Sequence, residues 1–219
     1  MVKNYNKVFE KYKDIHKGKT AALFGSGPTA NLYKPIDGVD INVGCNFIGD
    51  LPLFDQRKEN SILLDYYFFG DRGRSMGKNF KVKSAKFGAC EVNGSPHPLH
   101  YSEGEVLALG AHHMSVNNDN PTFEIDISEK PTHGQSVIFH ALNFLLYAGL
   151  SKIYIVGCDC NDRVCFDNRP IINSGNGSYD MYKTGWISAK NFIEQNNLDI
   201  SIISVNPVGL KGLFKEYTT

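Results

Sequence analysis

Residues 152–157, KIYIVG, are apolar without polar alternation. A strand with one face in water alternates apolar and polar side chains, whereas a strand covered on both faces does not. The run follows residues 134–149, GQSVIFHALNFLLYAG, which are apolar nearly all round, rich in helix formers and closed by Gly149. That pattern predicts a buried helix with a glycine cap. A buried helix feeding a doubly covered strand belongs in a parallel sheet with helices packed on it. The remaining pattern agrees. Residues 20–25 (TAALFG), 39–45 (VDINVGC), 61–69 (SILLDYYFF) and 200–205 (ISIISV) read as strands, the last stopped by Asn206-Pro207. Residues 186–195 (WISAKNFIEQ) read as a helix, and Val8, Phe9, Tyr12 and Ile15 mark residues 3–17 as a short amphipathic helix ended by Gly18. Residues 82–127 mix short apolar runs (VLALGA, FEIDI) with Gly, Pro, Asn and His, the mark of small strands and long loops. The expected class is α/β, a mostly parallel sheet flanked by helices with right-handed crossovers. Its length suits one domain over residues 1–219.

Charge narrows the function classes. Lys+Arg and Asp+Glu both total 23, so the formal net charge is zero. A non-specific nucleic-acid binder carries a basic excess, so no nucleic-acid partner is expected, although residues 72–86 are all basic where charged. No stretch approaches the about 18 apolar residues of a membrane span, and the polar start MVKNYNKVFEKYKDIHKGK has no apolar signal core. Five cysteines, Cys45, Cys90, Cys158, Cys160 and Cys165, fit a reduced, cytoplasmic, soluble chain. The Cys158-x-Cys160-x4-Cys165 tract lacks zinc-site spacing, so buried thiols near a strand end are expected and no metal site is assigned.

The turn Gly25-Ser26-Gly27-Pro28 raises the question of a ligand. Gly18-Lys19-Thr20 is not a phosphate-binding P-loop, because residue 13 is lysine where a glycine is required and the triplet precedes its strand. Gly25-x-Gly27-x-x-Ala30 fits a dinucleotide fingerprint, in which glycines admit a pyrophosphate and a helix N-terminus favours the anion. That fingerprint also needs an acid after the second strand, where this chain has Cys45-Asn46, with Asp50 further on. A mononucleotide or nucleotide-sugar site fits better. Gly25-Ser26-Gly27, Asn46, Asp71 and Gly157-Cys158-Asp159 each follow an apolar strand, at the edge where open α/β sheets bind ligands. The plainer alternative is that Asn46, Asp71 and Asp159 cap turns. Residues 161–185, rich in Asn, Asp, Gly and Tyr, follow the KIYIVG strand as a long loop, and a lid is expected there.

Four stretches carry a family resemblance: Gly25-Ser26-Gly27-Pro28-Thr29, Cys45-Asn46, Thr132-His133-Gly134 leading to LSKIYIVGCDC, and SVNPVGLKGLF. Together they resemble the bacterial sialyltransferases of glycosyltransferase family 42. They also resemble the wider Rossmann-like group with the archaeal 6-hydroxymethylpterin diphosphokinases (domain of unknown function 115). The resemblance implies a Rossmann-like fold with a closing strand, an Asn/Pro turn and a helix. It also implies a CMP-donor pocket lined by Gly25, Ser26, Gly27, Asn46, Thr132, His133, Gly134, Gly157, Cys158, Asp159 and Asn161. Two departures stand out: Ser26 occupies a position where the family has Asn, and residues 161–185 lack the family's base histidine. Tyr179 and Tyr182 remain to reach a leaving phosphate, and Asp71, Asp180 and His133 are the candidate bases. The chain is shorter than members with a C-terminal membrane-associating segment, which implies a soluble enzyme.

The expectation is thus a metal-independent glycosyltransferase without cofactor, moving a sugar from a CMP-linked or related donor to a hydroxyl acceptor. One alternative is a diphosphokinase using ATP and Mg2+ with Asp71, Asp159 or Asp162. Another is a nucleotide- or glycan-binding module without activity. His140, Phe144, Leu145 and Tyr154 are assigned to packing. His97 and His100 bracket a proline in a loop, and His112 and His113, adjacent on a strand, would point to opposite faces.

Overall fold

The computed structural model describes residues 5–55, 57–59, 61–69, 82–89, 106–109, 121–129, 136–160, 165–167 and 179–219. The strands are β1 (Thr20–Phe24), β2 (Ile41–Cys45), β3 (Leu64–Phe69), β4 (Val82–Ala89), β5 (Val106–Leu109), β6 (Lys152–Val156), β7 (Ser201–Val205) and β8 (Lys215–Tyr217). They form one sheet of eight in the order β5-β4-β3-β2-β1-β6-β7-β8, and every described pairing is parallel. The chain walks outward from β1 to β5, then returns to the other side of β1 with β6. The order therefore reverses between β1 and β6, a Rossmann-like arrangement with a topological switch point there.

The helices are α1 (Val137–Tyr147) and α2 (Tyr179–Gln195). Both pack on one face of the sheet, the first face, together with Phe9 and Tyr12. Phe144 of α1 lies at the centre of that face. Its ring is 4.8 Å from Tyr66, 5.2 Å from Phe87, 5.4 Å from Phe68 and 5.4 Å from Tyr12. The expected glycine cap is present as a Schellman turn: Gly149 has φ +82°, its N–H donates to Leu146 O, and Leu150 N–H donates to Leu145 O. Asn143, fully buried on α1, donates to Glu124 O (2.7 Å) and accepts from Glu124 N–H (2.8 Å). This amide satisfies both backbone groups of Glu124, and the FEIDI run, which bends at Ile125 and turns from Ile127, forms no strand of the sheet. His140, Phe144 and Leu145 are buried as assigned, and Tyr154 is half-buried against Tyr217.

The opposite, second face is covered differently. Three 3-10 segments, Pro28–Leu32, Asn46–Asp50 and Pro52–Phe54, bury Ala30, Ile48 and Phe54 against Ala22, Phe24, Tyr67 and Val156. Among the described residues no helix is long and apolar enough to cross a membrane.

Several expected elements are corrected. Residues 3–17 do not make one α-helix. A 3-10 segment, Tyr5–Tyr12, gives way to turns, so Phe9 and Tyr12 are buried one three-residue turn apart while Ile15 is half exposed. His16 is buried instead, because residues 14–18 run beside 147–149, with His16 N–H on Ala148 O at 2.9 Å. The helix after the glycine turn is only the five-residue Pro28–Leu32 segment. The described α1 begins at Val137 rather than residue 134. α2 begins at Tyr179, so residues 179–185 of the expected lid are its first turns; residues 161–164 and 168–178 lie outside the described residues. After Asn206-Pro207 the chain makes turns and then β8, not a helix, because Gly209 and Gly212 punctuate residues 206–214. The runs placed within 82–127 include β4 and β5, which extend the sheet beyond β3.

Candidate functional site

The carboxyl ends of β2, β1 and β6 lie side by side, so the topology assembles Asn46, Gly25-Ser26-Gly27 and Gly157-Cys158-Asp159 at one edge. Ser26 and Asn46 each follow by two residues the last register pair of β1 and β2, Phe24–Gly44.

The glycines have a structural task at this edge. Gly25 N–H donates to Val156 O and Gly27 N–H to Gly157 O, each at 2.8 Å. Thr29 N–H donates to Asp159 Oδ2 at 2.9 Å, and the Thr29 hydroxyl donates to Asp159 Oδ1. Every second amide past the end of β1 is thus consumed by the end of β6 or the chain just after it. A Cβ on Gly25 would stand 2.7 Å from Gly157 O, and one on Gly27 would stand 2.7 Å from Gly157 O and against the Asp159 carboxylate. Gly157 itself has φ +63° and touches Gly25 O from the other side. The close approach these glycines permit is to the protein's own backbone.

Asp159 is buried and also held from the turn after β7, since Gly209 N–H donates to its carbonyl at 2.8 Å. It acts as the cap for the Pro28–Leu32 segment, the plainer of the two roles considered for it. The Asp159–Thr29 pair bridges 130 residues of sequence, so no local pattern marks Thr29.

What the turn leaves open is Ser26. Its carbonyl accepts Phe166 N–H (2.9 Å), while its N–H and hydroxyl have no protein partner among the described residues. Asn31 Nδ2 donates to Phe166 O (2.5 Å), so residue 166 straps Ser26 to the Pro28–Leu32 segment. Asn46 takes φ +49°, and its carbonyl accepts the hydroxyl of buried Tyr67. That contact fixes the residue at the end of β2.

Three free thiols near this edge, Cys45, Cys158 and Cys160, are held above the ordinary thiol range. Burial, then the neighbouring Cys160 and Asp159, pushes the Cys158 thiol up. Burial and Asp159 push Cys160 up to about 12 against a hydrogen bond from Trp186. Burial alone raises Cys45. A thiol must ionise to attack, so none of these three has the environment of a catalytic cysteine. The Trp186–Cys160 bond also anchors α2 beside the end of β6. Tyr182, half-buried, stands one helical turn before Trp186 on the same side of α2. Tyr179 and Asp180 form the first turn of α2. Asp71, Thr132, His133, Gly134 and Asn161 lie outside the described residues, as do Cys90, His97, His100, His112 and His113.

Comparisons with protein families, with curated proteins and with solved structures gave no match for this chain.

Proposed function

We propose that the edge formed by the ends of β1, β2 and β6 binds a nucleotide-activated sugar, and that the chain is a metal-independent glycosyltransferase of the sialyltransferase-like kind. The observation that carries this reading is Ser26, whose N–H and hydroxyl have no protein partner among the described residues, at the edge where strand order reverses. Ligands of open α/β sheets lie in that crevice. The four sequence stretches supply the choice of a CMP-linked donor and a hydroxyl acceptor.

The pairing of Gly25, Gly27 and Thr29 amides changes how a phosphate would be held. In this reading the Ser26 N–H and hydroxyl take it, Tyr182 approaches from α2, and Tyr179 with it meets the leaving group. Asp180, Asp71 or His133 takes the acceptor proton. Loading both Asp159 oxygens with Thr29 weighs against the Mg2+-dependent diphosphokinase, which would then rely on Asp71 and Asp162.

A thermal-shift panel tests the reading on wild type and Ser26→Asp. CMP, CDP, UDP, GDP, ATP with and without Mg2+, and NAD(P) are the ligands. A ligand that binds only the folded state raises Tm. CMP or CDP should stabilise without metal, and Ser26→Asp should abolish the shift by placing a carboxylate where the phosphate sits. A shift by ATP only with Mg2+ would replace the transferase with the diphosphokinase. A shift by NAD(P) alone would restore the dinucleotide fingerprint. CMP binding without sugar transfer would mark an inactive binding module.

A further inference from the structure

On the second face a cleft of about 500 Å3 opens between the Pro28–Leu32 and Pro52–Phe54 segments. That size lies within the roughly 300–1,000 Å3 of small-molecule sites. Two buried side chains, Tyr33 and Leu51, form its floor, and half-buried Leu53 is one wall. The Tyr33 hydroxyl is tied to the Ile36 backbone, which holds the ring in place. The polar residues lining it besides Tyr33 are Asn31, Lys58, Glu59 and Ser61. Asn31 spends its Nδ2 on Phe166 O, and its Oδ1 has no donor among the described residues. Lys58 has no carboxylate within ion-pair distance there, since Asp55 is paired with Arg57 at 2.8 Å.

We infer that this cleft holds the nucleobase of the nucleotide whose phosphate faces Ser26, and that it selects a base with an exocyclic amine. The apolar side chains of Tyr33, Leu51 and Leu53 offer packing to an aromatic ring. Asn31 Oδ1 accepts from the amine, Lys58 donates to a ring nitrogen or carbonyl, and Glu59 accepts from the ribose hydroxyls. The two sites are joined: Phe166 is gripped by Asn31 on the cleft side and by Ser26 on the edge side. The inference rests on the nucleotide reading of the edge.

Methyl NMR on the full leucine-labelled chain separates the two. Cytidine, adenosine, uridine, CMP and inorganic pyrophosphate are titrated singly into wild type and Leu53→Trp, with Leu53→Gln as a second variant if the first does not fold. Cytidine and adenosine should shift the Leu51 and Leu53 methyls, with uridine binding about tenfold more weakly for want of the amine. Pyrophosphate should bind without moving those methyls. Leu53→Trp should weaken the nucleosides and CMP by about tenfold or more and leave pyrophosphate unchanged. CMP that binds both chains equally, with the leucine methyls unmoved, overturns the cleft assignment and leaves the edge site standing. Failure of cytidine, CMP and pyrophosphate alike overturns both.

Discussion

The two faces of the sheet are built by different means. The first is sealed by two α-helices and by aromatic rings from β3, β4, α1 and the Tyr5–Tyr12 segment, interlocked around Phe144. The second is covered by short 3-10 segments that bury a few side chains each and leave a cleft between them. A helix aligns many side chains for one continuous seam, while a 3-10 segment rarely runs long enough to do so. The first face therefore acts as scaffold, and the second, with the edge above it, has room for a ligand.

The largest expected effect lies on the scaffold. Phe144→Ala should cost about 3–5 kcal/mol in urea denaturation, because its neighbours cannot collapse into the space. Leu53→Ala, on the cleft wall, should cost about 1 kcal/mol. Equal costs would erase the contrast between the faces. Next comes the clamp. Asp159→Ala leaves the Thr29 N–H and hydroxyl unpaired and should cost about 2–3 kcal/mol, whereas a ligand-binding carboxylate at an open edge could be removed without loss of stability.

A smaller effect depends on pH. His16 is buried beside Tyr66, its Nε2 2.7 Å from the Tyr66 hydroxyl, and its Nδ1 has no partner among the described residues. Burial, and then Lys19, lowers its pKa, against weaker pulls from Asp65 and Asp40. The folded state holds this proton less tightly than the unfolded chain, which takes it up below about pH 6.5. Stability contributed by neutral His16 should be present above that pH and be lost as pH falls through it. Tm measured from pH 7.5 to pH 5 should drop, and His16→Gln should flatten the curve; an unchanged slope would remove His16 from the account.

The sheet was legible where burial forces composition. β1 and β6 are apolar after their first residue, β3 is apolar but for Asp65 and β7 but for Ser201 and Ser204, and the Gly149 cap is a left-handed position that glycine fills without strain. The second-face segments were not legible, since 3-10 turns of three to five residues leave no periodicity to read. The start of α2 was hidden because Asp180, Lys183, Thr184 and Gly185 read as loop residues in the sequence. At the site, the glycine pattern was visible but its partner was not. A Gly-x-Gly after a strand looks the same whether a phosphate or the next strand's backbone comes close, and here Gly157 and Asp159, far along the chain, decide between them.

Amide hydrogen exchange across residues 24–30 tests that division most directly. Gly25, Gly27 and Thr29 should be protected to a degree approaching the central strands, since each donates to the end of β6 or the chain just after it. Ser26 should exchange fast in the free protein and slow on adding CMP. Rapid exchange at Gly25 and Gly27 together with a protected Ser26 would contradict the clamp and return the glycine turn to the role of a phosphate cradle.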